Sequence, residues 1–287
     1  MSRALVPVET LSEAWLTALE AAAEPQSGRL VHLISTVTCP GSEIPSIRQV
    51  VDEFAKRQNC QPIDEVAETV FPLPFVSQPA RRWSPDLSEE QEREVLLREQ
   101  RLYAMFDESL DVLLTANGNR SGTYFSRMAT WPGKQPGGVN QIAERITALR
   151  KQVRHGRSAY NAMDIDVAAD AVTDLSDEEP LRGLEVYSAT DRRNRGFPCL
   201  THIDLTLFEG RLNMTGVYRH QFLVRKAYGN LLGLSWLLQF IAVQGGVDVG
   251  ELVVHATLAD SEVGELGRTC ITELIGEVRS AYESSNA

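Results

Sequence analysis

The residues best suited to chemistry are a cysteine and an arginine at opposite ends of a stretch that reads as a β-hairpin. Ile203, Leu205 and Leu207 alternate with Asp204 and Thr206, Glu209-Gly210 supplies turn chemistry, and Leu212, Met214 and Gly216 alternate with Asn213 and Thr215. Pairing the apolar faces across a two-residue loop sets Leu207 against Leu212 and Leu205 against Met214. Cys199 then falls opposite His220, with Arg219 one step away, unless a bulge shifts the register by one. The thiolate is the reactive form of cysteine. A fixed guanidinium nearby lowers the thiol pKa and can also hold an anionic group of a substrate. Taken alone, a cysteine at a strand start is more often an inert buried residue, so the surrounding elements must decide.

Those elements show in the periodicity. An amphipathic helix is expected over Ser12 to Ala23 and a strand over Leu30 to Val37, ended by Pro40 and Gly41. A second helix opens near Ser46 as its N-cap and stops near Asn59. The Pro-rich run Phe71 to Pro85 reads as a loop, and Ser88-Glu89-Glu90 opens a long charged helix to about Leu114. Asn117 to Gly122 and Trp131 to Gly138 are turn-rich, and a helix follows from about Asn140 to Gln152. The acidic run Thr173 to Pro180 reads as solvated surface, with no His or Cys to make it a metal site. Trp236, Leu237, Leu238 and Phe240 mark a buried helix beginning at Leu231. No low-complexity linker or internal repeat divides residues 1–287, which favours one elaborated domain.

Composition narrows the function classes. With 28 Lys and Arg against 39 Asp and Glu, the formal charge is -11, unlike a chain built to embrace the phosphates of a nucleic-acid polymer. Cys39, Cys60, Cys199 and Cys270 form no C-x-x-C pair, and the five histidines have no metal-site spacing, so reduced thiols and no catalytic metal are expected. Neither a G-x-S-x-G elbow nor a phosphate-cradling Walker loop occurs. Met1 to Glu24 lacks the layout of a secretion signal. The uncharged run Gly229 to Val247 is broken by Asn230, Ser235, Gln239 and Gln244, which suits a buried helix better than a membrane span. A cytoplasmic protein with no membrane partner is expected.

The order Phe197-Pro198-Cys199, hairpin, Tyr218-Arg219, Gly229-Asn230 and an apolar helix resembles the core of the thymidylate synthase and pyrimidine-nucleotide hydroxymethylase superfamily. The likeness is strongest from Gly196 to His255. It extends to Asn119-Arg120-Ser121-Gly122-Thr123, similar to the family's phosphate loop, and to the helix at Asn140-Gln141. On this reading 117–270 is the recognisable core and 1–100 a divergent amino-terminal elaboration. The resemblance implies an α+β fold, a mixed β-sheet flanked by helices with a long buried central helix, assembled as a sheet-packed homodimer.

It also implies conjugate addition. Cys199 matches the nucleophile that adds to C6 of a pyrimidine, making C5 nucleophilic toward a one-carbon unit. Arg219 matches the residue that touches both that sulfur and the substrate phosphate, and Arg120 matches a second phosphate ligand. Arg157 is similar to an arginine that reaches across the dimer to the partner's phosphate. Asn230 matches the reader of the O4/N3 edge, and its amide favours a uracil-type ring; the plainer reading is a helix N-cap.

Several positions depart from the family. Leu200 stands for a His, Asp204 for a Gln and His220 for a Ser, leaving Asp204 and His220 as candidate substrate-binding residues. Phe222 replaces the Asp that holds the pterin, which weighs against 5,10-methylenetetrahydrofolate as donor. The family's sugar-hooking Gly-Asp-x-His-x-Tyr segment corresponds to a stretch around His255 to Glu262 that keeps neither the His nor the Tyr, leaving Asp260 or Glu262 to bind a sugar or to sit in an acidic loop. The expected function is a one-carbon transferase, methylating or hydroxymethylating C5 of a pyrimidine nucleotide or nucleoside. The rival is a catalytically retired nucleotide-binding sensor or assembly protein of the same fold.

Overall fold

A computed structural model describes residues 2–76, 81–116, 119, 122–131, 138–155, 184–185 and 198–285. Thr10 starts the first helix, α1 (Leu11–Ala23): its hydroxyl accepts the Glu13 N–H at 3.2 Å while the Glu13 carboxylate accepts the Thr10 N–H at 2.9 Å. Ser88 and Gln91 cap the long helix α4 (Glu89–Thr115) in the same reciprocal way. Helix α2 (Pro45–Arg57) begins one residue before the expected Ser46 cap, because Pro45 occupies the first helical position, where its missing N–H is harmless. Ser46 instead donates to the Ala281 carbonyl at 3.1 Å, tying α2 to the carboxy-terminal helix α9 (Arg268–Ser285). Helices α3 (Ile63–Val70), α5 (Tyr124–Ala129) and α6 (Gln141–His155) lie between.

Among the described residues one mixed sheet runs β1 (Arg3–Ala4), β2 (Arg29–Val37), β7 (Asp248–Asp260), β5 (Arg211–Tyr218), β4 (Leu200–Phe208), β3 (Leu184–Glu185). A short β6 (Gln221–Phe222) also pairs with β7. The central β7 is parallel to β5 and antiparallel to β2, so a chain segment near residue 30 and the hairpin share one backbone ladder. Leu33, Val37, Ile203, Leu205, Met214, Leu252 and Val254 are buried at alternate positions along their strands, as one covered face requires. The other face leaves Ile34, Thr36, Thr215, Val217, Val253 and His255 half-buried.

The buried helix α7 (Tyr228–Gly245) is apolar on nearly all sides, as a helix enclosed by protein must be. It packs against α3 through two glycines. A Cβ at Gly229 would lie 2.6 Å from the Ile63 carbonyl and from Val66 Cβ, and one at Gly233 would lie 2.5 Å from the Ala67 carbonyl. Among the described residues no helix is long and apolar enough to cross a membrane.

Candidate active site

The hairpin keeps the expected pairs Leu207 with Leu212 and Leu205 with Met214, then departs from them. Between Leu200 and His202 the ladder slips by one: His202 faces Val217, but Leu200 faces Tyr218. Thr201 is the extra residue, and its hydroxyl donates to the Val217 carbonyl at 3.0 Å, holding the bulge. The slip corrects the expected pairing of Cys199 with His220. Cys199 faces Arg219, whose N–H donates to the Cys199 carbonyl at 2.9 Å. Arg219 Nε donates to the Pro198 carbonyl at 3.2 Å, so the guanidinium is anchored at the strand start that carries the thiol.

Two opposed effects act on the half-buried Cys199. Burial pushes its thiol pKa up, and the positive charges of Arg219 and then Lys226 pull it down without fully cancelling the burial. Two tyrosines stand close by. Burial raises the pKa of the Tyr124 hydroxyl, outweighing the lowering effect of the nearby backbone of Leu200 and Cys199, so it keeps its proton. The rings of Tyr124 and Tyr218 meet edge to face, with centroids 6.4 Å apart. Tyr218 is fully buried, and among the described residues its hydroxyl has no hydrogen-bond partner.

Asn230 lies in the first turn of α7 but is not its cap. The sequence expectation of a helix starting at Leu231 fails because a π-helical turn, Leu223–Ala227, runs directly into Tyr228. Asn230 is 4 % exposed, and among the described residues its carboxamide makes no hydrogen bond. Lys226, one turn earlier, donates from Nζ to Gln61 Oε1 at 2.5 Å. Burial, and then Arg225, lower its pKa. The π-turn is held by Glu262, whose carboxylate accepts the N–H groups of Val224 at 2.8 Å and Arg225 at 2.9 Å and pairs with the Arg225 guanidinium. Glu262 has φ 62°, a left-handed backbone that aims its carboxylate at these donors.

The remaining candidates divide. His220 Nε2 lies 3.6 Å from Asp260 Oδ2, and its ring packs on Phe222 with centroids 4.3 Å apart. Asp260 also accepts from Arg29 Nε at 2.8 Å and from the Glu262 N–H at 2.8 Å. Asp260 and Glu262 are thus committed to protein partners, which argues against either as a free sugar hook. At residue 222 the structure places an aromatic ring against His220 and beneath Arg225, with no carboxylate for a pterin, so the residues present do not fit that cofactor's usual hold. Asp204 pairs with Thr215 on the half-buried face and accepts the Thr206 hydroxyl at 3.3 Å. It is five residues along β4 from Cys199, about 16 Å of strand, and is not brought to the thiol. Arg120 and Arg157 lie outside the described residues. Among the described residues no group of three or more His, Cys, Asp or Glu side chains is placed to hold a metal.

No family model matches the chain. Two curated proteins, each bearing the name "Putative thymidylate synthase", are similar to parts of it. The protein from Methanothermobacter thermautotrophicus is 31 % identical over 148 residues, 50 % of this chain and 53 % of its own. The protein from Methanothermobacter marburgensis is 30 % identical over 103 residues, 36 % of this chain and 46 % of its own. The chain spans about half the length of the curated relatives it matches.

Sequence reasoning passed over Tyr124, Tyr218 and Lys226. Lys226 carried a usable signal, since it precedes Asn230 by four residues and so shares its side of the helix. Tyr218 carried one as well, as the next inward position after Met214 and Gly216. Tyr124 had none, because only the tertiary fold returns the start of α5 to the hairpin.

Proposed function

We propose that the protein is a thymidylate synthase-like transferase that alkylates C5 of a pyrimidine nucleotide or nucleoside through covalent addition of Cys199 at C6. The observation that carries this reading is the bulged strand end that sets Cys199 directly against Arg219. Its fold is read as that of the same superfamily, and the half-buried sheet face as the surface on which two copies pack.

The chemistry follows from the groups around the thiol. Cys199 loses its proton and its sulfur bonds to C6, while the C5–C6 electron pair moves onto C5 and the adjoining carbonyl. C5 then bonds to the donor's one-carbon unit and loses its proton, the donor's carrier leaves to give an exocyclic methylene at C5, and addition of water or hydride to that methylene re-forms the C5–C6 double bond and expels the thiolate. Arg219 steadies the thiolate and holds a substrate anion, and the carboxamide of Asn230, without a hydrogen bond among the described residues, meets the polar edge of the ring. Tyr124 presents an O–H beside the nucleophile. The donor is defined here only by class, because Phe222 offers no carboxylate for a pterin. A hydroxymethyl product requires water to complete the transfer, whereas a methyl product requires hydride from the donor.

A second reading, a nucleotide-binding sensor or assembly protein, is favoured by the dominance of burial at the Cys199 thiol. One experiment separates them. Pyrimidine nucleotides tritiated at C5 are incubated with the protein, with and without methylenetetrahydrofolate, and tritium release to water is followed. Release that disappears in Cys199→Ala is the expected outcome. Thermal stabilisation by the nucleotide with no release under any condition identifies the binding protein instead.

A further inference from the structure

The Tyr218 hydroxyl is fully buried and, among the described residues, unpaired, and a phenylalanine would fill the same space without that polar atom. Native interiors leave few such groups, because a buried donor without a partner has given up its hydration for nothing. The position narrows what the missing partner is. Tyr218 pairs across the ladder with Leu200, beside the nucleophile, and its ring meets that of Tyr124 edge to face. Strand alternation turns Tyr218 toward the helix layer and the following Arg219 the other way. The hydroxyl therefore belongs to the side of the site that holds the unbonded Asn230 carboxamide, away from the guanidinium suited to an anion.

We propose that the Tyr218 hydroxyl is a specificity-determining group that hydrogen-bonds a carbonyl or ring nitrogen of the bound base. The ligand class is a planar heterocycle with at least two polar edges, one for Asn230 and one for Tyr218. The assignment rests on the reading of the site as a pyrimidine site and adds to it a contact that Cys199, Arg219 and Asn230 do not supply.

The test compares the full-length protein with Tyr218→Phe by thermal unfolding and calorimetric titration. The probes are 2′-deoxyuridylate, uridylate and 2′-deoxycytidylate, with 2-deoxyribose 5-phosphate as a ligand lacking the base. Without ligand, the variant should melt at the same temperature as the parent or higher, since it loses only an unsatisfied group. It should bind the preferred nucleotide about fivefold more weakly, the loss expected for one neutral hydrogen bond, and bind the sugar phosphate unchanged. A ligand-free melting temperature several degrees lower would give the hydroxyl a structural role and overturn the assignment. Equal nucleotide binding by both proteins would overturn it while leaving the pyrimidine site intact. If no nucleotide binds the parent protein, the pyrimidine reading itself fails, and this contact fails with it.

Discussion

At Cys199 the free thiol is favoured by burial and the thiolate by Arg219 and Lys226. Lys226 is the more accessible lever, because its ammonium is held by Gln61 rather than by the backbone of the nucleophile. Lys226→Met should raise the Cys199 pKa further and lower its iodoacetamide alkylation rate at pH 8 by about two- to fivefold, with the pH profile displaced to higher pH. Labelling followed by peptide mass spectrometry isolates Cys199 from the other three thiols, and an unshifted profile would remove Lys226 from the site. At this scale the sequence disclosed residue types and missed one backbone event. Cys199 and Arg219 were legible as partners, but nothing in the alternation marks Thr201 as the extra residue of a bulge. Lys226 was signalled only by its spacing from Asn230, not by anything near Cys199. Asp204, a candidate by its place in the resemblance, lies on the half-buried face five residues along β4 from the thiol.

The helix that carries Asn230 is located by glycines. Gly229 and Gly233 stand on one side of α7, where α3 comes so close that a Cβ would meet backbone at 2.6 and 2.5 Å. Neither contact is the flexible end of a side chain, so an added methyl must separate the two helices. Gly233→Ala should destabilise the protein by about 1–3 kcal/mol, read as a lower midpoint in urea unfolding, even though alanine is the better helix former. A neutral or stabilising effect would show that α3 yields freely. The start of α4 was legible, since Ser88 bonds the backbone in the way its sequence announces, whereas α1 begins at Leu11 behind a Thr10 cap, one residue before the expected Ser12. The start of α7 was not, because a π-turn has no cap signature and is secured from afar by Glu262. Helix α3, eight residues long, is too short for its periodicity to stand out.

Across the whole molecule the two faces of the sheet are unequal. One face is closed by helices, while the other leaves Ile34, Val217 and Val253 half-buried. His32 and His255 hydrogen-bond on that same side, Nδ1 to Nε2 at 3.1 Å, and burial followed by the charge of His32 lowers the His255 pKa. A β-branched surface with few charges, on which burial disfavours a charged His255, is poorly matched to water, and a second copy of the chain would cover it. The alternation along β2 and β7 made the covered face readable, but only the spatial order of the strands, with β7 between β2 and β5, shows that the opposite residues join into one surface. Val253 lies in the central strand, paired with Thr36 and Thr215, so a charge there reaches the middle of that surface without entering the core. If two copies pack by this face, Val253→Asp should convert a dimer of the 31.8 kDa chain to a monomer in light scattering, with the far-ultraviolet circular dichroism of the parent. A parent protein that is already monomeric, or a variant that remains dimeric, would move the self-association surface elsewhere and leave this face to another occupant.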